Sequence, residues 1–157
     1  MLEQAFSLAS GAAAFGWLML IASLFTPPRA SAALRRLAGR VIPALLSIGY
    51  VACILLWWPG APGGFDRLAS VAALFSVPGL LLAGWVHYLA FDLLVGRWQV
   101  DDAARRGVSG IQAWWLLPCL LLTFLFGPAG WLLYMAAQRF LAPDSAAPVA
   151  AARDTPQ

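Results

Sequence analysis

The sequence predicts an all-α polytopic membrane protein. The expected form is a bundle of four transmembrane helices, with either a short interfacial helix before the third span or an extra pair of turns leading into it. Three observations predict this. Of 157 residues, 62% are hydrophobic and 11% charged, too little charge to cover a soluble domain of that length. Four apolar runs approach the roughly 20 residues that cross about 30 Å of hydrocarbon. All ten basic residues are arginines, and they gather in two of the segments between those runs.

The first span is expected over residues 5–25, ending at Thr26-Pro27-Pro28, where proline halts the helix. Its leading MLEQAFSLAS holds a glutamate and no basic n-region. A cleavable signal peptide is therefore not expected, and the run stays in the mature chain. The second span covers residues 41–58 and stops at PGAPGG. Residues 65–76 follow a helical pattern but are too short to cross. They read as a helix at the interface, or as turns joined to the third span through a kink at Pro78. The third span covers residues 78–95 and the fourth 116–137. Residues 1–141 thus form one transmembrane domain, and the Pro/Ala-rich stretch 142–157 reads as a disordered tail.

Orientation follows from the arginines. Arg29, Arg35, Arg36 and Arg40 follow span one, and Arg97, Arg105 and Arg106 follow span three, against Arg67, Arg139 and Arg153 elsewhere. The positive-inside rule places the first and third loops in the cytoplasm and both termini outside, in the periplasm if the membrane is a bacterial inner one. Trp57, Trp58, Trp98, Trp114 and Trp115 fall at expected span ends, as an aromatic belt requires.

Several chemistries find no support. The net charge of +3 and the lack of a basic, aromatic-interleaved face argue against nucleic acid as a partner; the lipid bilayer is the partner the composition names. Cys53 and Cys119 lie inside apolar runs without CxxC spacing and read as small buried hydrophobes. A metal site wants several His and carboxylate ligands, and the chain has one His. That histidine could be an axial haem ligand, but no second ligand accompanies it. No P-loop, Rossmann or GxSxG pattern is present, so no soluble cofactor is expected.

The informative stretch is WVHYLAFDLLVGRW, Trp85 to Trp98. A charged carboxylate well inside the membrane costs at least about 2.5–3.5 kcal/mol, so intramembrane ionisable groups are candidate functional groups. His87 and Asp92 are separated by roughly 7–8 Å along a helix axis and point about 140° apart. Trp85, Tyr88 and Asp92 instead form one stripe, with His87 on its flank. The plainer alternative pairs Asp92 with Arg97 near the headgroups. In the fourth run, Pro128 of the Gly127-Pro128 pair lacks an N–H, which frees the carbonyl of Phe124. In a membrane that acceptor needs a neighbour. Counting inward from the span ends puts His87 at similar depth, so a polar pocket is expected between spans three and four, with His87 and Tyr88 as candidate donors. A plain kink with tight helix packing explains the same residues.

WVHYLAFDLLVGRW and the later PCLLLTFLFGPAGWLLY, Pro118 to Tyr134, closely resemble the abscisic-acid-deficient-four-like membrane family, which includes plant neoxanthin synthase and bacterial relatives of unknown function. The matching positions are His87, Tyr88, Asp92, Gly96, Arg97, Gly127 and Pro128. The absence of a plastid transit peptide fits a bacterial member better. The resemblance implies a carotenoid or similar isoprenoid as the small-molecule partner, and an isomerase-like activity that opens an epoxide and forms an allene without a cofactor. On it, the catalytic candidates are His87, Asp92 and Tyr88. Trp85, Arg97, Gly127, Pro128 and Tyr134 are the substrate-binding candidates. His87 and Asp92 would divide the acid and base roles. The alternative is a non-catalytic membrane scaffold whose polar residues only hold helices together.

Overall fold

A computed structural model describes residues 1–141, and among these the chain forms helices and turns with no strand; the expected tail 142–157 lies outside the described residues. Helix α1 spans Leu2–Ser23. Helix α2, Pro28–Arg36, places Pro28 in its first turn, where a missing N–H costs nothing. It runs through a π-turn at Leu37–Val41 into α3, Ile42–Trp57. The arginine-rich segment read as a loop is therefore the opening of one 30-residue helix, Pro28–Trp57.

The short helix α4, Leu68–Phe75, is separate from the next helix, because Val77 between them is extended (φ −84°, ψ 115°). Helix α5, Pro78–Arg105, has 28 residues and continues well past the expected end of the third span. A 3₁₀ turn at Gly110–Trp115 leads into α6, Leu116–Phe126, and α7 covers Pro128–Leu141. Three helices are long and apolar enough to cross a membrane: Leu2–Ser23, Pro28–Trp57 and Pro78–Arg105.

The fourth apolar run does not form a continuous span. Its helix stops at Gly127, whose φ of +45° is a backbone state that glycine adopts without a Cβ penalty. There the chain reverses. The rings of Trp115 and Tyr134 stack with centroids 5.8 Å apart, whereas continuous helix would hold those positions roughly 28 Å apart. The small Gly130 lets α7 lie directly on Thr123 of α6. Helices α6 and α7 are thus the two arms of a hairpin. The 11 residues of α6 reach only about 16 Å, near half the hydrocarbon thickness.

This reversal changes where α7 ends. The Gly110 N–H donates to the Leu24 carbonyl at 3.1 Å, so the C-terminal ends of α1 and α5 share one side with the start of the hairpin. At the opposite side Phe6 of α1 packs on Trp85 near the start of α5, 5.5 Å between rings. The Tyr134 hydroxyl on α7 donates to the Asp102 carboxylate at 2.7 Å, which returns α7 to the first side. The N-terminus and the end of α7 therefore lie at opposite ends of the bundle, not together as expected. Arg139, in the last turn of α7, joins the arginine-rich end.

Helix α5 is the central element and packs against α1, α3, α4 and the hairpin. Small residues set these distances: the Leu93 side chain fills the space over Gly16, and the Trp17 ring lies over Gly96. Leu20, Leu93, Leu116 and Leu120 are fully buried in the resulting core.

Candidate functional site at the hairpin tip

The stripe read from the helical period is present on α5 and faces α1 and the hairpin. Trp85 stacks on Tyr88 with ring centroids 5.5 Å apart, and its indole N–H donates to the Ser10 hydroxyl of α1 at 2.9 Å. The Tyr88 hydroxyl donates to the Phe124 carbonyl at 3.3 Å. That carbonyl is the acceptor Pro128 leaves free, so the break in the fourth run is satisfied from α5, by Tyr88.

One turn deeper, Asp92 is buried at 8% exposure. Its Oδ2 has no hydrogen-bond partner among the described residues. A methyl group at position 127 would sit 2.7 Å from Asp92 Oδ1, so the glycine serves both the reversal and the close approach of this carboxyl group. Tyr88 stands four residues before Asp92 on α5, one turn above it on the same face. The helix that begins beside it, α7, presents its electropositive amino end there. Trp85, Tyr88, Asp92, Gly127 and Pro128 therefore form one cluster at the hairpin tip. Beyond it, a cavity of about 390 Å³ lies between α1 and α5, lined by Leu2, Phe6, Pro78, Leu81 and Trp85 among others. Exposed apolar Leu81 and Trp85 open this flank toward lipid.

His87 is placed elsewhere. Its ring stacks on Phe91 at 4.4 Å and lies 5.5 Å from Tyr50 of α3, beside a second cavity of about 330 Å³ between α3, α4 and α5. The azimuth that separates it from Asp92 on a helix carries it away from the hairpin, so it is not a donor to the break.

Arg97 and Tyr134 belong to a third region, at the arginine-rich end. Arg97 donates to Asp101 at 3.0 Å and to the Gly39 carbonyl of the π-turn at 3.1 Å, and does not pair with Asp92. Arg35 reaches the same Asp101 at 3.3 Å. Tyr134, fully buried, sits between Trp98 (5.6 Å) and Trp115 (5.8 Å). The Asp102 that accepts its hydroxyl also accepts from Arg105 at 3.1 Å and Arg106 at 2.8 Å, and that hydrogen bond raises the Arg106 guanidinium above its ordinary value.

Among the buried polar residues that escaped the sequence reading, Gln99 and Thr123 form a bonded pair. Both are fully buried. The Gln99 amide donates to the Thr123 hydroxyl at 3.0 Å, which in turn donates to the Cys119 carbonyl at 2.8 Å. Gln99 follows the last expected residue of span three, and Thr123 stands alone in an apolar run. The lone hydroxyl of Thr123 in an apolar run was the available signal, whereas Gln99, between Arg97 and Asp101, carried none. Among the described residues, no three or more His, Cys, Asp or Glu side chains gather as a metal site would require.

A family model described as ABA DEFICIENT 4-like matches residues 4–134. No curated protein and no solved structure matches the chain.

Proposed function

The chain belongs to the ABA4-like family, and from that membership and the geometry of the hairpin tip we propose that it acts on or binds a carotenoid or similar isoprenoid beside Asp92. The observation that carries this reading is the buried Asp92 carboxyl group, with Oδ2 unpartnered, next to Tyr88 in an apolar surrounding. Such a group is costly in hydrocarbon unless it has a task or a ligand. The mostly apolar cavity at Trp85, with Glu3 as its one charged lining residue, offers room for a flat, lipid-dissolved chain to approach along α5.

In an epoxy-carotenoid isomerisation of the neoxanthin-synthase kind, Tyr88 gives its proton to the epoxide oxygen as the carbon–oxygen bond breaks. The Asp92 carboxylate takes a proton from the polyene as the allene forms. No electrons enter or leave, and return of the proton from Asp92 to Tyr88 restores both groups. This division gives Tyr88 the acid role that the sequence had suggested for one of His87 and Asp92, because His87 lies on another flank of the helix. The reading sets the protein in a bacterial inner membrane with its arginine-rich end in the cytoplasm. Arg29, Arg35, Arg36, Arg40, Arg97, Arg105, Arg106 and Arg139 then share that side, a stronger bias than a four-span topology gives.

The test is expression in a bacterial host that makes epoxy-carotenoids, with pigments separated by chromatography and the protein quantified in membranes. The wild type changes the pigment profile, whereas Asp92→Asn and Tyr88→Phe abolish the change at equal protein level. A wild-type profile identical to that of empty membranes removes the substrate assignment. Loss of pigment change only in proportion to lost protein favours a scaffold.

A further inference from the structure

Opposite the hairpin, the cavity of about 330 Å³ between α3, α4 and α5 has no role in the function proposed above, and its chemistry is distinct. Its polar lining side chains are His87 and Tyr50, whose rings lie 5.5 Å apart. Neither side chain makes a hydrogen bond to any described residue, although both stand within helices long and apolar enough to cross a membrane. The rest of the lining includes Trp58, Phe65 and Phe75, with Ala83 and Gly84 forming a shallow floor on α5. No charged side chain lines it, which disfavours an anionic headgroup.

We propose that this cavity is a binding site for the head of a membrane-dissolved quinone. Three features select that chemistry. Two hydrogen-bonding groups converge on one small volume, and an imidazole N–H and a phenol O–H can both donate to a ring carbonyl. Aromatic faces surround the space, and an electron-poor planar ring stacks well on electron-rich indole and phenol. Apolar walls open toward lipid, the solvent from which an isoprenoid-tailed quinone arrives, and a mostly apolar pocket with few polar contacts suits such a ligand. The volume accommodates a substituted six-membered ring and leaves the tail in the bilayer. Bound there, the carbonyl satisfies the two side chains that the protein leaves without partners.

The chain holds one histidine, so in a protein without a histidine tag the imidazole is a site-specific reporter. The probe is a short-chain 2,3-dimethoxy-5-methyl-benzoquinone with one isoprene unit, added to the purified protein in lipid nanodiscs. Saturable movement of the single imidazole nitrogen resonance pair is expected. Equilibrium dialysis of the labelled probe is expected to show affinity falling about five-fold in Tyr50→Phe and in His87→Phe, the loss of one hydrogen bond each. His87→Gln, which keeps a donor, retains most of the affinity. Thermal unfolding of each variant verifies that the fold is kept. The proposal is overturned if saturating probe leaves the imidazole resonances in place, or if both phenylalanine variants bind as the wild type does. It is equally overturned if a puckered, hydroxylated cyclohexene of the same size binds as tightly as the quinone.

Discussion

Replacing Gly130 by alanine tests the hairpin directly. A methyl group there would lie 2.5 Å from Thr123 Cα and closer still to the Thr123 amide and hydroxyl. Ordinary van der Waals contact begins at 3.4 Å. The obstacle is helix backbone, which no rotamer change can move, so α6 and α7 must separate by roughly an ångström along their contact. Overpacking of this kind costs about 1–3 kcal/mol. Moving Thr123 also strains its hydrogen bond with Gln99, which adds about 1 kcal/mol. The expected destabilisation is about 2–4 kcal/mol, against a gain of up to about 1 kcal/mol that alanine brings to a helix. Gly49 is the internal control: it stands on α3 with nothing within 4 Å of a would-be methyl, so Gly49→Ala should be neutral or stabilising. Denaturation of the purified proteins in mixed micelles by increasing SDS, followed by tryptophan fluorescence, measures both. A Gly130→Ala midpoint within error of the Gly49→Ala midpoint would refute the packed hairpin.

Three further outcomes are expected from the same geometry. Green fluorescent protein and alkaline phosphatase fused before residue 1 and after residue 141 should report opposite sides of the membrane; the same side from both positions would mean that α7 crosses the bilayer. Thr123→Val should cost about 1–3 kcal/mol, because it strands the buried Gln99 amide. Gln99→Leu should cost less, since the Thr123 hydroxyl keeps the Cys119 carbonyl at 2.8 Å; the reverse ranking in SDS titration would contradict the assignment of donor and acceptor. Tyr134→Phe should lower stability by about 1–2 kcal/mol, the value of a hydrogen bond to a charged group that keeps its two arginine partners. An unchanged denaturation midpoint in that variant would show that the bond to Asp102 contributes nothing.

Proline chemistry and the helical period read the local geometry around Phe124 further than they read the topology. A proline in an apolar run necessarily frees one carbonyl, and Phe124 was named from that fact alone; the structure supplies Tyr88 as its donor. The helical period likewise grouped Trp85, Tyr88 and Asp92 and set His87 apart. What the period cannot tell is whether Gly127-Pro128 bends a helix or reverses it. Both outcomes use the same two residues, and the choice depends on a backbone angle and on contacts distant in sequence, such as Tyr134 with Trp115. One clue was available in the residues themselves. Arg139 fell on the arginine-poor side under a four-span reading, and the reversal removes that exception. The buried pair Gln99 and Thr123 was not legible, because α5 runs past the length that hydropathy assigns to a span, and each residue is isolated until the hairpin brings them together.

Helices α4 and α6–α7 cap opposite flanks of α5 from opposite ends, and that diagonal gives the two halves of a bilayer unequal access. On the flank of Asp92 the hairpin closes the arginine-rich half, while Leu81 and Trp85 stay exposed in the other half. On the flank of His87 the pattern is inverted: Phe91 and Leu94 are the exposed residues, and they lie toward the arginine-rich end. On the reading proposed above, a lipid-soluble molecule reaches the Asp92 flank from the arginine-poor half, whereas the surface of α5 left open beyond His87 lies in the arginine-rich half.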